Sequence, residues 1–175
     1  MASHGIARAR RDDLAAALDA VRSIVRALRV NAHAIERQAG IGGAQLFVLQ
    51  QLARGPARSM NELAQRTHTH QSSVSVVASR LAERGLIVRS PSSADRRRLE
   101  IALTPKGRAL LRGAPVTVQA RLIEGLRKLP AHRLAALAQG LHAWLRAAKV
   151  EAGRPPLLFE ESADANRPWR SRARA

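Results

Sequence analysis

The chain has no cysteine, which excludes disulfides, thiol nucleophiles, thiolate metal sites and thiol redox sensing together. Long apolar runs are missing as well. No stretch approaches the roughly 20 apolar residues of a membrane span, and Met1 to Arg11 carry arginines without a following apolar run of signal-peptide length. The expectation is a soluble, cytoplasmic protein with no membrane partner. Nucleophile elbow, phosphate loop, metal-binding His-Glu helix and paired carboxylates are all missing too, so neither an enzyme nor a cofactor or metal is expected. Among the six histidines, His68 and His70 lie two apart. Without cysteines or clustered carboxylates, a zinc site there would have to be assembled across the fold.

Acidic residues are scarce. Lysine and arginine outnumber them 30 to 13, leaving a formal charge of +17 and arguing for a polyanionic partner, nucleic acid first and an anionic membrane surface second. Nearly all the cations are arginine, whose planar fork grips phosphates and guanine edges bidentately where lysine offers a point charge. An Ala- and Arg-heavy composition also follows from a GC-rich genome, so charge alone does not choose a class. The 175 residues, 46% hydrophobic, suffice for one core with an appendage and exclude disorder throughout.

From about Asp12 to Gln38, Leu14, Leu18, Val21, Val25, Leu28, Ala32 and Ile35 recur at alternating spacings of four and three, a heptad seam on one long helix. Such a stripe needs cover from later helices or from a second subunit. Gly40, Gly42 and Gly43 punctuate the chain, and Ala44 to Arg54 form a shorter helix closed by Gly55-Pro56. Ser59-Met60-Asn61-Glu62 reads as a capping box, with the Ser59 hydroxyl accepting from the Glu62 amide and the Glu62 carboxylate reaching back to the Ser59 amide. A helix of about two turns follows. His68 to Gln71 make a turn, and Ser72 to Arg84 form a further helix with Val74, Val77, Ala78 and Leu81 inward and Gly85 as its left-handed cap.

Two short helices around a polar turn, the second with an outer face of short polar groups and one long cation, are the layout of a helix-turn-helix. That face comprises Gln71, Ser72, Ser73, Ser75, Val76, Ser79 and Arg80, able to approach phosphates and base edges without steric bulk. A serine-rich face can equally be plain solvated surface. The next segment favours the first: Leu86 to Arg89 and the strictly alternating Leu99 to Leu103 read as strands of a hairpin through Ser90 to Arg98. Arg96, Arg97 and Arg98 make a cationic cluster suited to a narrow minor groove. Thr104-Pro105 starts another helix as N-cap and first-turn proline.

The segment Gly40 to Arg112 resembles the core of the MarR family of transcriptional regulators. The resemblance is carried by Gln45-Leu46-Phe47-Val48-Leu49, Glu62-Leu63-Ala64, Ser73-Val74-Ser75 with Arg80-Leu81, Gly85 to Arg89, Asp95-Arg96-Arg97 and Leu103-Thr104-Pro105-Lys106-Gly107-Arg108. It implies a homodimer whose first and last helices interlock and set two recognition helices in successive major grooves of a near-palindromic operator. The function it implies is that of a transcriptional regulator, a repressor relieved by a small ligand. Two departures stand out. Val76 follows Val74-Ser75 where the family usually has a basic residue, and Arg98 adds a third wing arginine where a small residue is commoner. The resemblance also implies that Asp95 pairs with a wing arginine and that Arg96 leads into the minor groove.

The expected fold is therefore mainly α with a small β-hairpin wing: a winged helix-turn-helix core plus a helical dimerisation scaffold. Its units are a dimerisation helix over 12–38, the DNA-binding core over 40–112, C-terminal dimerisation helices over 113–150, and a basic tail over 151–175. Beyond Gly107 the chain reads helical through Leu110, Leu111, Val118, Leu122, Leu126 and Leu129, and restarts at Pro130 with Leu134, Leu137, Leu141 and Leu145. The tail reads as flexible or as docked on the partner subunit through Pro155 to Phe159, with Arg167, Arg170, Arg172 and Arg174 adding phosphate contacts. Family relatives bind small aromatic acids or phenols between scaffold and winged core. His33, Arg37 and Phe47 are the candidates here for such an effector. The partners expected are double-stranded DNA, a second copy of the chain and that effector. The rival to a site-specific regulator is a basic protein that coats DNA without an operator, which would discriminate little between specific and random duplex.

Overall fold

The computed structural model describes residues 2–91 and 99–150. Its elements are α1 (Ala2–Ala39), α2 (Gly43–Ala53), α3 (Met60–Thr67), α4 (Gln71–Glu83), β1 (Ile87–Pro91), β2 (Leu99–Leu103), α5 (Pro105–Leu111), α6 (Val118–Arg127) and α7 (Ala131–Ala147). The protein is mainly α with a two-stranded antiparallel hairpin, as the sequence predicts. The boundary 151–175 and the tail lie outside the described residues.

Helix α2 is the centre of the core. Leu46, Phe47, Val48 and Leu49 are all buried, because α2 is packed by α1, α3, α4 and β2 from different sides; hence its apolar residues run consecutively instead of forming a stripe. Around it close Ile35 and Ile41, Leu63, Val74, Val77, Leu81, Leu86, Ile101 and Leu103. The hairpin pairs Ile87 with Leu103 and Arg89 with Ile101. Ala57 adds a single bridge to Ile101, its amide donating to the Ile101 carbonyl at 2.9 Å and its carbonyl accepting at 2.7 Å. The neighbouring Pro56 has no N–H to extend that pairing.

Local signals set the ends of these elements. Gly85, at φ +66°, closes α4, while the Leu86 amide donates to the Leu81 carbonyl at 2.9 Å in a left-handed cap. Thr104 caps α5 by accepting from the Gly107 amide at 3.0 Å. Ser59 caps α3 by accepting from the Glu62 amide at 3.1 Å. The returning half of that box differs from expectation: the Glu62 carboxylate accepts from the Arg58 amide at 2.8 Å, not from that of Ser59. Arg66, one turn on, is the reason. Its guanidinium donates to Glu62 and to the carbonyls of Gly55 and Pro56 at 2.6 and 2.8 Å, which pulls the carboxylate toward the incoming chain.

The Arg58 amide, with help from Arg66, holds the Glu62 carboxyl below its ordinary value against the opposing effect of burial. Ionised Glu62 therefore stabilises the fold above the ordinary carboxylate value of 4.5, and that contribution is lost as pH falls through the lowered folded value. Glu62→Gln is expected to cost about 1 kcal/mol near neutral pH, allowing for partial exposure of the pair. Urea denaturation should show that difference shrinking as pH falls below 4.5 and through the lowered value at which wild-type Glu62 is itself protonated. A deficit independent of pH would assign the cost to packing.

Two expectations about the scaffold need correction. A continuous helix was expected to run from Pro105 to Leu129, but it breaks between Leu111 and Val118, because Pro115 has no N–H and disfavours helical geometry at Ala114. The α1 seam is also only partly covered, and α1 starts at Ala2, well before Asp12. Leu28 and Ile35 are buried, whereas Leu14 is 61% exposed and Val25 39%. Helix α7 buries no residue at all, so Leu134, Leu137, Leu141 and Trp144 stand uncovered within one chain.

Candidate nucleic-acid interface

Helices α3 and α4 are joined by a turn of three residues, His68 to Thr69 to His70, one shorter than expected because Gln71 is already helical. The Thr67 hydroxyl donates back to the Leu63 carbonyl at 2.9 Å, and the Thr69 amide donates to the Ala64 carbonyl at 3.0 Å. His68 adopts a left-handed conformation, φ +52°, which reverses the chain in one residue. His70 is extended and makes no side-chain cap to α4, leaving the first amides of α4 without that partner.

Val74, Val77, Ala78 and Leu81 anchor the inner side of α4. The opposite side carries the predicted residues: Gln71, Ser72, Val76 and Ser79 are exposed, and Ser73, Ser75 and Arg80 are half-buried. The Ser75 hydroxyl donates to the Gln71 carbonyl at 2.7 Å, which leaves it only acceptor capacity toward a ligand. Ser73 and Arg80 are engaged in interactions of their own. Arg96, Arg97 and Arg98, with Asp95, lie outside the described residues. The hairpin stem beneath them is described, and it presents exposed Arg89, a cation that the strand pattern gave no reason to single out. Exposed Arg58 lies just before α3.

Support for the hairpin comes from behind. The Thr104 hydroxyl donates to the Gly85 carbonyl at 2.7 Å, Lys106 Nζ donates to the Arg84 carbonyl at 2.9 Å, and Arg84 Nη2 donates to the Gly40 carbonyl at 2.7 Å. These bonds tie the end of α4, the start of α5 and the end of α1 into one rigid corner. Lys106 and Arg84 act there as struts, so neither counts among the free cations facing outward.

Cavities lie between this unit and the remaining helices among the described residues. An apolar cleft of about 1380 Å³ is walled by α1 at Val21 and Ile24, by the turn at His68 and His70, by α6, and by Leu141 and Trp144 of α7. A second space, of about 10 Å³, has Phe47 at its base with Gln51, Arg54, Arg66 and Arg127 around it; it has room for about one water. Phe47 itself is 1% exposed and part of the core. His33 and Arg37 are exposed on α1 and are not among the residues lining either cavity. Among the described residues, no group of three or more His, Asp or Glu side chains is placed to hold a metal ion, and no helix is long and apolar enough to cross a membrane.

A family model described as the MarR family matches residues 39–98. The chain is 37% identical over 73 residues to the HTH-type transcriptional repressor MdtR of Bacillus subtilis (strain 168), covering 42% of this chain and 46% of that protein. It is also 37% identical over 86 residues to a protein of Thauera aromatica named for transcriptional regulation of the hcr operon, covering 49% and 52%. The chain thus spans about half the length of the curated relatives it matches. Among solved structures, CouR from Rhodococcus jostii RHA1, bound to p-coumaroyl-CoA, superposes with a TM-score of 0.50 at 23% identity, covering 80% of this chain and 94% of that one. That likeness is one of fold.

Proposed function

We propose, from the match of residues 39–98 to the MarR family, that the chain is a regulator of that family and controls transcription by binding, as a homodimer, a near-palindromic site in double-stranded DNA. The observation that carries this reading is the two-sidedness of α4. One face is locked into the core by Val74, Val77 and Leu81, and the other offers Gln71, Ser72, Val76 and Ser79 outward beside a hairpin stem. A helix so held presents its side chains to a major groove in one orientation. Ser73, Ser75 and Arg80 complete the reading face, Val76 meets a thymine methyl, and Arg96, Arg97 and Arg98 enter the minor groove.

The homodimer is supported by the uncovered apolar faces of α1 and α7, which a second copy would bury. Repression relieved by a small aromatic or phenolic effector is the mode we favour. The cleft under the helix-turn-helix turn, walled by Val21, Ile24, Leu141 and Trp144, is the space in which occupancy would re-space the two recognition helices; His33 and Arg37 could reach an acidic effector only from outside that cleft, and Phe47 acts through the core.

Selection from a pool of random duplexes tests the reading. An inverted repeat should emerge, bound roughly a thousandfold more tightly than random DNA at physiological salt. A protein that merely coats DNA would enrich nothing. On the selected site, Arg96→Ala should weaken specific and random binding together and lower the salt slope by about one phosphate equivalent. Ser73→Ala or Arg80→Ala should instead lose about 1 to 3 kcal/mol of discrimination. Equal loss on both duplexes for Arg80→Ala would make Arg80 a phosphate anchor.

A further inference from the structure

The break between α5 and α6 is where the winged core passes into the scaffold, and two half-buried side-chain amides hold it. Gln50, on α2, uses both ends of its side chain: Nε2 donates to the Pro115 carbonyl at 2.8 Å, and Oε1 accepts from the Thr117 hydroxyl at 3.1 Å. Thr117 in turn accepts from the Ala120 amide at 3.2 Å as the cap of α6. Asn31, on α1, accepts from the Val118 amide at 2.9 Å. These contacts span 65 to 87 residues of sequence, and Thr117 and Val118 are 2% and 5% exposed. The far end of α6 is tied as well, with Arg127 Nη2 3.1 Å from His68 Nε2 in the turn ahead of the recognition helix.

We infer that Gln50 and Asn31 are positioning residues that set the angle between the winged core and the scaffold, and through it the half-site spacing the dimer accepts. Apolar contacts alone would let α6 slide or rotate at low cost, because dispersion is non-directional. Hydrogen bonds from a planar amide to two fixed groups specify direction, and a buried group left unpaired is costly. The inference rests on the proposed function only for its consequence at DNA; the joint itself is a property of one chain.

The absence of native cysteine makes spin labelling clean. Labels on Glu83→Cys in α4 and Glu124→Cys in α6, diluted with unlabelled protein, report the distance from core to scaffold within one chain. A single narrow distribution is expected for the otherwise unchanged protein. Gln50→Met and Asn31→Leu, which keep helix propensity while removing the bonds, should broaden it by about twofold. Asn31→Asp keeps an acceptor for the Val118 amide beside a helix N-terminus and should leave it narrow. In duplex selection, Gln50→Met and Asn31→Leu should enrich the same half-site letters at more than one spacing, with about tenfold weaker binding at the original spacing. An unchanged distance distribution in both variants overturns the inference, as does broadening in Asn31→Asp equal to that in Asn31→Leu. Failure of the unaltered protein to select any repeat would overturn the proposed function instead, and the distance measurement would still decide the joint.

Discussion

Leu141→Asp is expected to abolish dimerisation and operator binding while leaving the winged core folded. Leu141 is 44% exposed in one chain and faces the apolar cleft with Leu137 and Trp144. In the homodimer its counterpart position would hold an unpaired carboxylate away from water, at roughly 3 kcal/mol per copy. A two-fold interface carries the change twice, so the monomer–dimer constant should move by roughly four orders of magnitude. Operator affinity should drop by about a hundredfold or more, since each monomer can then engage only a half-site. With no α7 residue buried, the core of α2, α3 and α4 does not depend on it, and far-ultraviolet circular dichroism should keep most of its helical signal. Sedimentation of a variant still dimeric at micromolar concentration, or retained operator binding in anisotropy, would sink both the interface and the dimeric reading.

Gly107→Ala should be more damaging to folding than any surface change, against the usual sign for such a substitution. Within a helix, glycine to alanine ordinarily gains about 1 kcal/mol. At Gly107 a Cβ would stand 2.2 Å from the Leu86 carbonyl oxygen and 3.2 Å from its carbon, and both are backbone atoms that cannot rotate aside. That carbonyl is fixed from other directions, since it accepts from the Thr104 amide at 3.1 Å. Relief therefore requires α5 to move off the end of α4 and off the hairpin stem. The expected cost is about 3 kcal/mol or more, read as a lower urea midpoint with an unchanged slope. Because that corner also supports the hairpin, DNA affinity measured below the transition should fall too. A stabilised or neutral Gly107→Ala protein would mean that α5 packs elsewhere.

Much of the winged core is legible locally. Ser59 before Glu62, Thr104 before Pro105 and Gly85 after a periodic run each announce a helix end through atoms within a few residues, and the structure uses all three. The alternation of Leu99 to Leu103 names β2 at its observed bounds, because one face of a hairpin strand on a core must be apolar. Val74, Val77, Ala78 and Leu81 are spaced so that their inward direction is unambiguous, which in turn assigns the polar face of α4.

Other features depend on residues far apart in the chain. Glu62 turns to Arg58 because of Arg66. The break in α5–α6 had a visible warning in Gly113 and Pro115, but the long apolar period across it concealed the interruption. Gln50 and Asn31 were missed, although two adjacent glutamines inside the otherwise apolar Leu46 to Leu52 are a readable anomaly. Their partners are more than 60 residues away, and nothing local says which backbone group a half-buried amide will find.

The sequence by itself determined the caps at Ser59, Thr104 and Gly85, the bounds of β2 and the two-sidedness of α4, because propensity, capping and binary pattern act over a few residues. Tertiary structure alone decided which apolar faces one chain covers and which it leaves exposed, how α6 is held against the core, and why Gly107 admits no side chain. Those are questions of distance between segments remote in sequence, and they are settled only when the chain packs.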